Sequence, residues 1–566
     1  RTNTNMLSLM REYPDFKYSQ SQPYLYEELK KMYPAVYEEV KQRVLEGRWE
    51  AIGAMYIEPD GNVIGTESII RQILFGKRFL RKEFGVESRT VWLPDVFGVM
   101  YTLPQILKKS GIDYFSTVKL KIWADTNPFP HNSFWWRGPD GTDVLTHFPA
   151  SHFGKNLDAE TVRQHWRDFN DKNNVGESMF VYGLADGGGG PTREEVERGQ
   201  RLNNFPGLPT GKVDTVENFF EHLEQRTENL PIWDDELYLE AHRGTYTTKA
   251  DLKRQNRKAE LLYRDVEVIS ALASLFGGER MQEEINEGWK LVLVNQFHDT
   301  LPGTHRPEGV PDIKRDYKTA FQIGNNLLEK ASQHIAQNLD INCDMVFFNT
   351  LSWKRSDLVK VPVSMTAGAP IDGLQSQTYK GYTYGSARII PPLGWEDRDV
   401  SPVTEGQKPI AAFEKNTIET PLYQISFNDA GDIESLYDKV NDHDVLTAPG
   451  NQFQVFEDDP GRKFSAWDIA YHFEEYQHPV MMTLPWKMVA NGNLFAVLRS
   501  EWQVLNSTIQ QEMWLYKDNP RIDFRTTANW QDSRKLLKVA FPLNVRSRTA
   551  TYDLPFGNIE RPTHRN

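Results

Sequence analysis

The sequence predicts a multi-domain chain that changes class twice, mixing α/β, all-α and all-β parts: a β/α barrel, then a three-helix bundle, then a β-sandwich. Three observations carry this reading. Up to about residue 215, short apolar strands alternate with amphipathic helices. From about 245 to 340, apolar residues recur at helical spacing. After Cys343, short strands follow one another with only turn signals between them. The boundaries fall at 1–215, 216–340 and 341–566, and 566 residues suffice for about three domains of ordinary size.

Composition narrows the function classes. A hydrophobic share of 39%, an aromatic share of 12% and 15 Trp describe a folded chain with many flat stacking surfaces, a faint pointer to sugars. The net charge is -13, and no run of Lys and Arg is long enough to follow a phosphate backbone, so nucleic acid and anionic membranes are unexpected partners. A single cysteine, Cys343, allows no intrachain disulfide, which makes a reducing, cytoplasmic location the default. No apolar run reaches the roughly 18 residues of a membrane span. The chain opens on Arg1 and closes amid turn residues, so truncation at both ends is expected.

In the barrel part, Phe16-Lys17-Tyr18-Ser19 leads into a helix from Pro23, and Trp49 to Gly53 precedes Glu58 and Asp60. Thr66 is expected to cap a helix whose face carries Ile69, Ile70, Ile73, Leu74, Phe79 and Leu80, with Gly85 ending it. Val91-Trp92-Leu93-Pro94-Asp95 is an apolar strand that stops on a carboxylate. Tyr114 to Thr117 precedes Lys119, Val144 to Phe148 follows a Pro139-Asp140-Gly141 turn, and Met179 to Tyr182 runs out into Asp186. Polar groups just past successive strands belong to the catalytic edge of such a barrel. Leu252, Ala259, Leu262, Val266, Ile269 and Leu272 mark the first bundle helix; Met281, Ile285 and Trp289 the second; Tyr317, Phe321, Gly324, Leu328, Ala331 and Ile335 the third. In the β part, Val346 to Asn349, Tyr423 to Phe427, Phe453 to Phe456, Leu494 to Val497 and Ile509 to Tyr516 are strands, with Asn428-Asp429-Ala430-Gly431 as a turn.

The groups able to do chemistry are Asp95 and Asp186 at strand ends, His298-Asp299 where the second bundle helix gives out, and His242. Two carboxylates on one barrel edge serve a glycosidase, one attacking and one protonating; with a histidine they equally bind a metal. The glycines from 187 to 190 permit close backbone approach but lack the lysine and spacing of a phosphate-binding loop.

At these residues the chain resembles glycoside hydrolase family 38, the retaining α-mannosidases. Trp92 to Gly98, Ala185 to Thr192 and Asn295 to Thr304 are similar to its motifs. Ser19 to Pro23, Phe134 to Gly138 and His242 to Tyr246 are similar to the branch with bacterial and cytosolic members, and Val346 to Trp353 and Ser435 to Lys439 fit in the β part. The resemblance implies that Asp95 is the nucleophile and also a ligand of one divalent metal, zinc before others. It implies that His298 is a second metal ligand and that Asp186 is the general acid/base. Asp299, His242, Tyr246, Lys119 and Trp136 fall at substrate-binding positions. It further implies hydrolysis of terminal α-linked mannose in oligosaccharides by double displacement, in an enzyme that can form homo-oligomers. The family's other two metal ligands form a His-x-Asp pair near the N-terminus; no His precedes His131, so that pair is not in this sequence. A catalytically silent glycan-binding or scaffold relative is therefore the alternative expectation, and a metal-dependent deacetylase on a similar barrel a third.

Overall fold

Strands of three to five residues cannot stand alone, and they acquire stability by pairing side by side under helices. The computed structural model describes residues 1–124, 126–186, 188–366, 371, 375–386, 389–400, 408–461 and 465–564. Within these, β1 (Tyr18–Gln20) and β2 (Trp49–Ala51) form a parallel pair. A five-stranded sheet follows from β3 (Thr90–Trp92), β4 (Tyr114–Ser116), β5 (Ser133–Arg137), β6 (Asp143–His147) and β7 (Ile232–Trp233), in the order β3-β4-β6-β5-β7.

Two features depart from the expected barrel. β5 runs antiparallel to β6, closed by the turn at Pro139 to Thr142, so the sheet is mixed. Met179 to Tyr182, expected as a strand, makes only an isolated bridge from Tyr182 to Lys155, and its first N–H is taken by the side chain of His147 at 3.2 Å. Among the described residues β1 to β7 thus form two sheets instead of one closed ring. The sheet region also continues beyond residue 215: Phe220 and Leu223 of the helix Val216–Glu224 pack with Tyr114 and Leu145, and β7 lies in the sheet.

The helix Thr66–Phe84 covers β3 and its neighbours with Ile69 and Ile73, which share a core with Val91, Phe115, Phe134 and Val144. Gly85, at φ +70°, ends it as expected, since glycine enters the left-handed region without a Cβ penalty. Thr66 is its first residue and not its cap; Gly65 holds that place, where a Cβ would come within 2.5 Å of Glu260. Leu74, expected on the inner face, is exposed.

Three helices, Ala250–Leu275, Gln282–Val294 and Val310–Asn338, bury Leu252, Val266, Ile269, Ile285, Trp289, Tyr317 and Ile335 in one apolar core. A buried polar network ties them to the sheet region. The Gln296 amide nitrogen donates to Ser68 at 2.7 Å and Asn256 at 2.9 Å, and its oxygen accepts from Gln72 at 3.1 Å. Glu260 accepts from Ser68 at 2.7 Å and from the N–H of Gly65 at 2.8 Å. In the β part, an antiparallel four-stranded sheet through Phe495–Val504 and Ser507–Tyr516 shares a core with a five-stranded sheet through Tyr423–Phe427. No helix of the described residues is long and apolar enough to cross a membrane.

The Gln296 network carries a stability prediction, because a buried donor or acceptor left unpaired costs its full desolvation penalty. Gln296→Leu should lower stability by about 2–4 kcal/mol, read by urea unfolding followed through tryptophan fluorescence. A change below half a kcal/mol would show that the network contributes nothing beyond packing.

Candidate active site

The site is assembled from the ends of adjacent parallel strands. β3 continues to Leu93, whose N–H reaches the Ser116 carbonyl at 3.0 Å; the chain then turns at Pro94 and presents Asp95 at the sheet edge. One strand over, β4 ends at Ser116 and Lys119 opens a short helix. The buried Lys119 ammonium lies 2.8 Å from Asp95 Oδ1 and 4.2 Å from the centre of the Phe97 ring.

The third group arrives from the helical region. The segment at 296–298 runs beside 58–60: the N–H of Asp60 donates to the Gln296 carbonyl at 2.9 Å, and the N–H of His298 donates to the Glu58 carbonyl at 3.2 Å. The same carbonyl takes Nδ1–H of His298 at 3.0 Å, which fixes the ring and leaves Nε2 facing Asp95 Oδ2 at 3.7 Å.

Charges here are coupled through burial. Desolvation alone would raise the Asp95 carboxyl, but the His298 imidazole and Lys119 ammonium outweigh it and hold Asp95 below its usual range. Desolvation likewise opposes the imidazolium of His298, and the carboxylates of Asp95, Glu58 and Asp299 overcome it and push that pKa up. Glu58 goes the other way: burial, reinforced by Asp95, raises its carboxyl in spite of His298 and the Ser21 hydroxyl that bonds it. Glu58 escaped the sequence reading as a site residue. The usable signal was its position past β2, the same logic that singles out Asp95.

Asp95, His298, Glu58 and Asp186 line one cavity of 1610 Å³, together with Gln20 and Trp92. Asp186 is exposed on a turn whose ends bridge at Leu184 and Gly190. Gly187 lies outside the described residues. The neighbouring glycines are held by the helix Thr2–Glu12: the N–H of Gly189 reaches Thr2 Oγ1 at 2.9 Å, and a Cβ on Gly190 would meet Met6 at 2.6 Å. Close approach, and not mobility alone, calls for glycine there.

The remaining predicted residues do not line this cavity, and each is placed differently. Lys119 backs Asp95. His242 packs edge-on against Phe97 at 5.0 Å. Tyr246 accepts from Asn62 at 3.2 Å, and the same Asn62 amide reaches the Phe97 carbonyl. Asp299 takes the Thr304 hydroxyl at 2.6 Å and closes its own loop. Trp136 is fully buried: its ring packs near Phe115 and its N–H donates to the Asp235 carbonyl at 2.9 Å, so it presents no face to a sugar. The side chains of β5 alternate, so its neighbour Trp135 is the partly exposed one of the two.

The expected metal can be tested against the donors. Asp95 Oδ2 and His298 Nε2 are spaced to share an ion, and the tautomer of His298 is that of a ligand. A zinc site takes four ligands, however. Among the described residues no group of three His, Cys, Asp or Glu is placed to hold a metal, and Lys119 already occupies Asp95 Oδ1. The described residues supply half of a divalent-ion site and do not fit a complete one.

The raised Glu58 carboxyl yields a pH prediction. A carboxyl whose folded pKa exceeds its unfolded value costs no stability below the unfolded value, and its cost grows as pH rises from there towards the folded one. Glu58→Gln should therefore raise the midpoint of thermal unfolding at pH 8 relative to the parent and leave it unchanged at pH 4. An equal shift at both values would contradict the buried, proton-retaining carboxyl.

Comparison with known proteins identifies the family. Residues 1–236 match the glycosyl hydrolases family 38 N-terminal domain, 240–335 the alpha mannosidase middle domain, and 418–566 the family 38 C-terminal domain. Alpha-mannosidase 2C1 of Homo sapiens is 33% identical over all of this chain and 54% of its own length. The alpha-mannosidase of Saccharomyces cerevisiae is 31% identical over all of this chain and 51% of its own length. The chain thus spans about half the length of the curated relatives it matches. The crystal structure of an alpha-mannosidase from Enterococcus faecalis V583 superposes with a TM-score of 0.82 at 17% identity, covering 100% of this chain and 74% of that one, which shows a shared fold. With three segments of one family matched in order along a sequence that carries its motifs, the chain belongs to glycoside hydrolase family 38.

Proposed function

We propose that the chain carries the catalytic site of a retaining α-mannosidase that removes terminal α-linked mannose from oligosaccharides. The observation that supports this most is the Asp95 carboxylate, set on the wall of a large cavity and held below its usual pKa range by His298 and by Lys119 at 2.8 Å. A nucleophile must be charged and aimed, and the ion pair serves both needs. The choice of mannose rests on the names of the relatives.

In this reading Asp95 attacks the anomeric carbon as Asp186, on the same cavity wall, protonates the departing oxygen. The resulting ester neutralises Asp95 and leaves the Lys119 charge in place, which favours return of the carboxylate in the second step. Asp186 then takes a proton from water, and the two inversions give net retention. The divalent metal implied by the family needs donors in addition to Asp95 and His298, and no step is derived through it. The chain is read as a catalytic unit that carries the mixed sheet through β7, followed by a helical unit and a β unit. A second reading, a silent glycan-binding relative, is favoured by one observation: the half-complete metal site.

Two measurements separate these readings. Asp95→Asn should lower kcat for an aryl α-mannoside by at least about a thousandfold while the circular dichroism spectrum stays unchanged; undiminished hydrolysis would remove Asp95 from the role of nucleophile. A parent that binds mannosides without cleaving any would favour the silent relative. Zinc titration followed by calorimetry should give a dissociation constant of about a micromolar or weaker, since two ligands supply roughly half of the binding energy of a complete site. Tight one-to-one binding would mean that further ligands exist among these residues.

A further inference from the structure

A contact between the β part and the segment 242–248 lies outside the roles considered so far. The segment Ala466 to Asp468, which belongs to the last part of the chain, docks on residues 242–248. The N–H of His242 donates to Asp468 Oδ1 at 2.6 Å, the N–H of Gly244 to the Trp467 carbonyl at 2.9 Å, and the Thr248 hydroxyl to the Ala466 carbonyl at 2.9 Å. Gly244 is required by this docking: a Cβ there would lie 2.9 Å from the Asp468 carbonyl oxygen and 3.0 Å from that of Trp467.

His242 is the residue through which the contact reaches the rings around Lys119. It is buried, and its φ of +66° places it in the left-handed region, which costs any residue with a Cβ more than it costs glycine. Asp468, 9% exposed, holds that conformation through one oxygen: Oδ1 accepts the His242 backbone N–H at 2.6 Å and stands 3.5 Å from imidazole Nδ1, which has no hydrogen-bond partner among the described residues. The ring thus fixed lies 5.0 Å from Phe97 and 5.5 Å from Trp123. Those two rings flank the Lys119 ammonium, at 4.2 and 5.9 Å, and Lys119 pairs with Asp95.

We propose that Asp468 is a positioning residue for the Asp95 site: it locks His242 in the left-handed conformation, and His242 with Phe97 and Trp123 forms the aromatic wall that aims Lys119 at Asp95. The β part then supports the Asp95–Lys119 pair from behind the cavity lining and is not an appended module. The kinetic consequence rests on the mannosidase reading; the structural one does not.

Hydrogen exchange of the full chain, read peptide by peptide, tests this without needing turnover. Asp468→Ala should speed exchange at least about fivefold in 95–99 and 118–124 as well as in 242–248. Phe495–Val504 should keep parental rates, which shows that the β core is intact. Asp468→Asn keeps an oxygen acceptor for the His242 N–H and should restore most of the protection. Gly244→Ala, which wedges the docked segments apart at the Trp467 and Asp468 backbone carbonyls and leaves the Asp468 side chain in place, should reproduce the pattern of Asp468→Ala. Faster exchange confined to 242–248 and 465–470, with 95–99 and 118–124 unchanged, would overturn the proposal, as would an Asn variant no better protected than the Ala variant.

A kinetic arm reads the same chain of contacts. In protein that hydrolyses an aryl α-mannoside, Asp468→Ala should lower kcat at least about tenfold with KM changed far less, as misaimed reacting groups do; an unchanged kcat overturns the positioning role. A parent without turnover defeats the mannosidase reading alone, and the exchange pattern still decides the proposal.

Discussion

A carboxylate taken most of the way out of water must be compensated, and the Asp95–Lys119 ion pair is the compensation around which this site is built. Removing either partner strands the other in a poorly solvated place. The geometry of the pair is set by sequence order: Asp95 follows β3, Lys119 follows β4, and these strands are parallel neighbours in register from Thr90 opposite Tyr114 to Trp92 opposite Ser116. Two residues 24 positions apart thereby emerge on one edge of one sheet.

The rest of the chain keeps that edge from relaxing. The network of Gln296, Ser68, Asn256 and Glu260 is buried and mutually satisfied, and it fixes the loop that brings His298 and the Glu58 carbonyl together. From the other side, Asp468 and Trp467 press residues 242–248 towards Phe97. The ion pair therefore sits where three stretches distant in sequence converge. Any one of them can be structurally sound on its own terms while the carboxylate points elsewhere.

Much of this was legible in the sequence, and the reasons are specific. Asp95 stood out because an apolar strand cannot bury a carboxylate and must end at it. The three long helices were visible because a period of 3.6 survives over 13 to 29 residues, and the turn at Gly431 because it bears Asn, Asp and Gly together. What was not legible depends on pairing. The antiparallel β5 looks like any short apolar run, and Met179 to Tyr182 has a strand's composition but no ladder; nothing local distinguishes them. Trp136 and Trp135 differ by one step of a period-two pattern, which a five-residue strand is too short to phase. Glu58 went unassigned because its role comes from a neighbour 240 residues away, His298. The family resemblance supplied roles for residues, but the partner that holds each residue in place had to come from the fold.

The central claim is that Asp95 becomes covalently attached to the sugar, and chemical trapping tests it most directly. A fluorinated mannosyl fluoride, whose glycosyl-enzyme forms faster than it hydrolyses, would be incubated with hydrolytically active protein, and the labelled peptide sequenced by mass spectrometry. Attachment of one mannosyl unit to Asp95 is the predicted result. A label on another carboxylate, or none on protein that the reagent has nevertheless inactivated, would contradict it.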